Sequence, residues 1–119
     1  MIDHVGFYVD DLQKNDQFYR PLLKAIGYDV IFSRPQCIAY GLDGNPFFEI
    51  YTGKPKATGI HIAFKVQDKE TVARFHAVAL SIGGLDNGKP GYRDYVPHYY
   101  AAFIIDPNGH NLEAFLIAP

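Results

Sequence analysis

The sequence predicts an α+β fold of two tandem β-α-β-β-β modules, and three observations lead to it. First, residues 3–10 (DHVGFYVD) return in altered form at residues 59–66 (GIHIAFKV). With His4 set under His61 the two align without gaps at an offset of 57 residues (61 − 4), pairing Val5 with Ile62, Gly6 with Ala63, Phe7 with Phe64 and Val9 with Val66. Second, the match continues: Asp11 meets Asp68, Phe18 meets Phe75 and Gly27 meets Gly84, so a helix start, a helix anchor and a helix stop recur in register. Third, each helical stretch is followed by short alternating segments bounded by turn residues, the pattern of antiparallel strands. A repeat of this length defines the architecture before any single element does.

The elements follow in order. Residues 2–9 alternate, with Val5, Phe7 and Val9 on the face that packs on a helix and His4, Gly6 and Tyr8 on the other. Asp10 or Asp11 caps the first helix, which carries Leu12, Phe18, Leu22, Leu23 and Ile26 inward and stops at Gly27. Pro21, with no N–H to give, kinks it or starts a new turn. Strands follow at 28–32, 36–42 and 46–52, the last two joined by Asp43, Gly44 and Asn45. In the last of these Phe48 and Ile50 face one way, and Phe47, Glu49 and Tyr51 the other. The polar segment TGKPKATG, residues 52–59, links module 1–53 to module 59–119 within one domain of 119 residues.

The second module repeats the plan. Ile60, Ile62, Phe64 and Val66 face its helix, over residues 68–82, whose buried stripe is Val72, Phe75, Val78, Ala79 and Ile82. Glycines and prolines crowd residues 83–97, which predicts a short strand at 84–87 and otherwise a loop able to act as a lid. Strands at 98–105 and 111–118 close the chain around the turn residues Asp106, Pro107, Asn108 and Gly109. Units of fifty-odd residues are marginal alone, so two modules need each other or a second chain.

Composition narrows the partners. Eleven Lys and Arg against thirteen Asp and Glu leave a formal charge of −2, no footprint for nucleic acid or an anionic membrane. No run approaches the roughly 20 apolar residues of a membrane span, and the chain enters a strand pattern without a signal-peptide core. Cys37 is the single cysteine, so no intrachain disulfide forms, and a reducing cytoplasm is the expected compartment. Phe and Tyr number nine each, enough aromatic surface for a core and for a pocket lined by Tyr8, Phe47 and Tyr51.

Four ionisable residues interrupt apolar strands: His4, Glu49, His61 and Glu113. Each lies opposite its strand's helix-packing residues, one His and one Glu per module. A carboxylate on a covered sheet face is costly unless it is paired or binds a cation. Two carboxylates and two imidazoles suit a borderline divalent ion such as Zn, Ni, Co, Mn or Fe(II), with two octahedral positions left for water or substrate. Two buried His–Glu ion pairs, or a solvated cup of polar residues, account for the same pattern. His98, with Tyr100 beyond it, can face such a site or simply begin a strand. Arg93 and Tyr95 can hold an anionic substrate or belong to a solvated loop. His76, on the second helix, and His110, after the last turn, carry no expected role.

The motifs DHVGFYVDDLQKNDQFY, FFEIY, GIHIAFKV and YYAAFIIDPNGHNLEAF, spread over essentially the whole chain, resemble those of the vicinal oxygen chelate superfamily. That superfamily includes glyoxalase I, methylmalonyl-CoA epimerase, extradiol dioxygenases and bleomycin-binding proteins. The resemblance implies that each module forms half of an open barrel, that His4, Glu49, His61 and Glu113 fall on the metal-holding positions, and that a homodimer shares two sites between its chains. It implies a metal-dependent enzyme in which the ion chelates vicinal oxygens of a small molecule while a carboxylate moves a proton through an enediolate, as in isomerases, lyases and epimerases. Glu113 is the first choice for that carboxylate and Glu49 the second. Ring-cleaving oxygenation fits less well, because a fourth protein ligand fills a position that oxygen needs. A non-catalytic protein that sequesters a drug or metabolite in an aromatic cup is the alternative.

Overall fold

The structure is a computed structural model that describes residues 1–119. It divides into two compact units, Met1–Ala57 and Thr58–Pro119. In the first, β1 (Val5–Val9) leads through α1 (Leu12–Ala25) to β2 (Asp29–Arg34), β3 (Cys37–Leu42) and β4 (Asn45–Thr52). In the second, β5 (His61–Lys65) leads through α2 (Lys69–Ser81) to β6 (Leu85–Arg93), β7 (Tyr99–Ile105) and β8 (Asn111–Ile117). The two sheets have matching orders, β1-β4-β3-β2 and β5-β8-β7-β6. In each, the first strand runs parallel to the last and the other pairs are antiparallel. Both sheets are open and mixed, so the α+β fold of two β-α-β-β-β modules is what the chain adopts.

The helices explain why the modules hold this plan. Asp11 caps α1 by accepting from the Lys14 amide at 3.0 Å, and Asp68 caps α2 by accepting from the Thr71 amide at 2.8 Å. The caps stand at the 57-residue offset (68 − 11) of the repeat. α1 runs through Pro21 as a single helix and buries Tyr19, Leu22 and Leu23 completely. Tyr19 meets Phe48 of β4 with ring centroids 4.9 Å apart. In α2, Phe75 is fully buried and lies 6.4 Å from the ring of Phe64 in β5. Burial alternates as two-faced strands require, with Phe48 and Ile50 at 0% exposure on one side of β4 and Phe47 and Tyr51 partly open on the other.

Three sequence expectations need correction. The helix stops are not in register: Gly27 (φ 94) ends α1, but the left-handed residue after α2 is Gly83 (φ 102), one position before Gly84. α2 is correspondingly one residue shorter, 13 against 14. The short strand expected at 84–87 instead runs on through Arg93 as the nine-residue β6, paired antiparallel to β7, and only residues 94–98 are irregular. Its glycines and proline do not break it, because the register shifts between Asp86 and Gly88 and again between Gly88 and Gly91. Pro90 is tolerated in an edge strand, where one missing N–H leaves no neighbour unpaired. Finally, His98 does not open a strand. It is a turn residue with φ 68, and its carbonyl accepts from the Ala118 amide at 2.7 Å.

Candidate functional site

In the second unit, Glu113 sits in the middle of β8, opposite Ala63 of β5 and Phe103 of β7. It is 3% exposed. His61 begins β5, and its Nε2 lies 3.1 Å from Glu113 Oε1. The other ring nitrogen, Nδ1, is 3.1 Å from the Asn111 carbonyl. A carbonyl accepts only, so Nδ1 is the donor in that contact, and Nε2 is the nitrogen directed at the carboxylate. The ring is stacked against Phe103, centroids 6.3 Å apart. The Tyr99 hydroxyl donates to the second oxygen of Glu113, Oε2. Burial, and then the bond to Glu113, push the Tyr99 phenol far above the ordinary tyrosine range. Tyr99 is held flat on Phe115, centroids 5.1 Å apart at 7°.

The first unit repeats the arrangement with looser contacts. Glu49 of β4 lies opposite Gly6 of β1 and Ala39 of β3. His4 stands just before β1, with Nε2 3.6 Å from Glu49 Oε1 and Nδ1 2.8 Å from Asp3 Oδ1. The hydrogen bond to Asp3, and then the charge of Glu49, raise the His4 pKa above the usual imidazole value. Beyond Glu49 on the same face, Tyr8 and Tyr51 meet edge to face at 5.3 Å. With Cys37 and Gln36 they line an open pocket of about 570 Å³ that carries no charged side chain. Burial, and then the nearby Glu49, raise the pKa values of both Tyr51 and Cys37.

No protein-family profile and no curated protein sequence matches the chain. Solved structures do. A glyoxalase/bleomycin resistance protein from Albidiferax ferrireducens T118 is 28% identical, with 95% of each chain covered and a TM-score of 0.82. A glyoxalase/bleomycin resistance protein/dioxygenase family enzyme from Burkholderia phytofirmans PsJN is 18% identical, with 98% of each chain covered and a TM-score of 0.76. A glyoxalase-related enzyme from Fulvimarina pelagi is 20% identical, covers 97% of this chain and 86% of its own, and has a TM-score of 0.73. The chain has the fold of the vicinal oxygen chelate superfamily.

Within this vicinal oxygen chelate fold the remaining candidate residues fall in distinct places. Phe47 is on the Glu49 side of β4, 37% exposed, with its ring 6.2 Å from Tyr28. Arg93 belongs to β6 rather than to a loop. Its guanidinium donates to the carbonyls of Gly91 at 2.9 Å and Lys89 at 2.7 Å and lies 5.4 Å over the Phe103 ring, on the His61 side of the sheet. Arg93, Tyr95 and His98 border a second open pocket of about 420 Å³. Tyr100 is on the opposite face from Glu113. It pairs with Leu116, meets Tyr92 at 5.1 Å and lies 5.2 Å from Lys69 Nζ at the start of α2.

The residue that sequence reasoning missed is Tyr99, and the signal for it was present. The hairpin turn puts Ile105 opposite Asn111, so Phe103 lies opposite Glu113 and the odd-numbered residues of β7 share its face. Of the other histidines, His76 bonds Asp86 at 2.8 Å and His110 accepts from the Ile60 amide at 3.2 Å, so each has a structural task.

The donor set fits a divalent transition ion. In each module one imidazole nitrogen is pinned by an acceptor while the other is aimed at a carboxylate, an arrangement that fixes ligand orientation at metal centres. A single chain assembles no group of three or more His, Cys, Asp or Glu side chains around one point. Each module places one imidazole nitrogen beside one carboxylate oxygen. No helix is long and apolar enough to cross a membrane.

Proposed function

We propose that this chain is a metal-dependent vicinal oxygen chelate enzyme that moves a proton on a small substrate, with His4, Glu49, His61 and Glu113 as the ion's ligands. The observation that carries the reading is the repetition of one device in both modules, Nδ1 tied off and Nε2 facing the module's own glutamate. One pair supplies too few ligands, so the complete set takes two from each module, and two copies of the chain in a homodimer supply them.

A bound Zn, Ni, Co, Mn or Fe(II) ion provides Lewis-acid stabilisation of negative charge on the substrate's neighbouring oxygens. The chain's own residues do the rest. A carboxylate oxygen of Glu113 or Glu49 takes the proton from the carbon beside those oxygens and returns it, the step that isomerases, lyases and epimerases of this type share. Tyr8, Tyr51 and Phe47 supply an aromatic wall on the first-module side. Arg93 and His98 border the second-module side as substrate contacts.

A second reading has its own support. The uncharged pocket of about 570 Å³ between Tyr8, Tyr51 and Cys37 suits a protein that sequesters a planar drug or metabolite without turning it over. Metal content decides between the two. Protein purified without an affinity tag or added metal is expected to carry about one equivalent of transition metal per chain, lost in His61→Ala and Glu113→Ala. A parent that stays metal-free after incubation with Ni, Zn, Mn, Co and Fe(II) overturns the enzyme reading and leaves the binder.

A further inference from the structure

We infer that Tyr99 is a positioning residue that fixes Glu113 as a one-oxygen cation ligand and thereby leaves Glu49 as the carboxylate free to move the proton. The inference rests on the metalloenzyme reading above and divides labour between two glutamates that the ligand pattern alone leaves equivalent. Both oxygens of Glu113 are engaged: Oε1 faces His61 Nε2 at 3.1 Å, and Oε2 accepts from the Tyr99 hydroxyl. Its side chain is 4% exposed, so rotation away from these partners would strand a charged oxygen where no water replaces them. Tyr99 cannot follow such a rotation, being stacked on Phe115 and bounded at its edge by Tyr95, 5.1 Å away.

Glu49 has none of this. Its contact with His4 is long, 3.6 Å, and its side chain is several times more open, 15% against 4%. The difference follows from register. Tyr99 stands four residues before Phe103, the cross-strand partner of Glu113. The residue four before Ala39, the partner of Glu49, is Pro35, in the β2–β3 turn, with no group to donate. The modules share a His–Glu pair but not its third member. A carboxylate that must swing to a substrate carbon and back needs the freedom Glu49 has, whereas a carboxylate that must keep an ion in place benefits from an outer partner.

Cobalt titration tests this, read by visible absorption and by calorimetry on the full chain. Tyr99→Phe keeps the ring and its stacking and deletes one oxygen. It is expected to weaken Co(II) binding by about 10- to 100-fold, while Tyr95→Phe binds as the parent does. Glu49→Gln is expected to lose less affinity than Glu113→Gln. Because Tyr99 acts through Glu113, the double variant Tyr99→Phe/Glu113→Gln should bind no more weakly than Glu113→Gln alone. A Tyr99 with only a role in folding would give additive losses instead, which overturns the inference, as does a Tyr99→Phe affinity equal to the parent's. Equal losses from the two glutamate variants overturn the division of labour. Absence of Co(II) binding by the parent overturns the metalloenzyme reading itself and the inference with it.

Discussion

Gly6→Ala is the sharpest test of how the first-module site is built. A methyl group on Gly6 would lie 2.3 Å from Tyr51 Oη, 2.8 Å from Tyr51 Cζ and 2.9 Å from the Glu49 carbonyl oxygen. Comfortable carbon contacts are about 3.5–4.0 Å. The first two clashes can be relieved if Tyr51 swings away, at the loss of its edge-to-face contact with Tyr8, worth about 0.5–1.5 kcal/mol. The third cannot, because the carbonyl belongs to β4 backbone in register with Gly6 itself. Overpacking against backbone costs about 1–3 kcal/mol, so the two together give about 1.5–4.5 kcal/mol. At about 4 °C per kcal/mol for a chain of this size, melting should fall by roughly 6–18 °C. Circular dichroism melts of Gly6→Ala and of Gly6→Ala in a Tyr51→Ala background separate the parts, since the second retains only the backbone clash. A Gly6→Ala protein that melts within about 2 °C of the parent would refute the packing of Tyr51 over Gly6.

Tyr40→Phe should destabilise the chain by about 1–3 kcal/mol in urea unfolding, because it removes the buried hydroxyl that donates to Asp16 at 2.7 Å. An unchanged midpoint would mean that the Arg20 guanidinium, 2.9 Å from Asp16, satisfies that carboxylate unaided. Asp86 is held below its usual pKa of 3.8, first by the hydrogen bond with His76 and then by the Gly88 amide. A carboxyl depressed by folding contributes fully above its unfolded pKa and loses that contribution as pH falls through the folded value. Stability should therefore decline below about pH 4 and decline less steeply in Asp86→Asn, with parallel curves arguing against the pair. Saturation with Ni or Co at about 100 times the dissociation constant should stabilise the parent by about 2.7 kcal/mol and leave Glu113→Ala unmoved. An equal melting shift in both would point to adventitious binding.

Much of the fold was legible because it is written twice. His4 and His61, Asp11 and Asp68, Phe18 and Phe75 each support a reading that one copy alone would leave weak, and the caps and buried anchors follow it. The errors arose where the copies diverge. Gly83 and Gly84 are adjacent, and sequence spacing favoured the one in register with Gly27, whereas a helix one residue shorter uses the other. β6 was hidden because glycine and proline weaken a strand only where both neighbours must be paired and no bulge absorbs the extra residue. Near the site, alternation put His61 and Glu113 on one face, as the 3.1 Å contact reflects. Tyr99 is hidden behind Tyr100 when alternation is counted from His98, and the hairpin register, with Phe103 opposite Glu113, is what assigns it to the Glu113 face.

β6 also bears on how copies of the chain meet without joining. An open sheet exposes the donors and acceptors of its outer strands, which invites strand addition and fibril growth. The longest strand here, nine residues, lies on such an edge. Yet Pro90 offers no donor, the two register shifts break its flat run, and Arg93 engages the carbonyls of Lys89 and Gly91 from within the same strand. The composition that disguises β6 as a loop thus serves as a guard against self-templating, and any runaway association of this protein must begin at another edge.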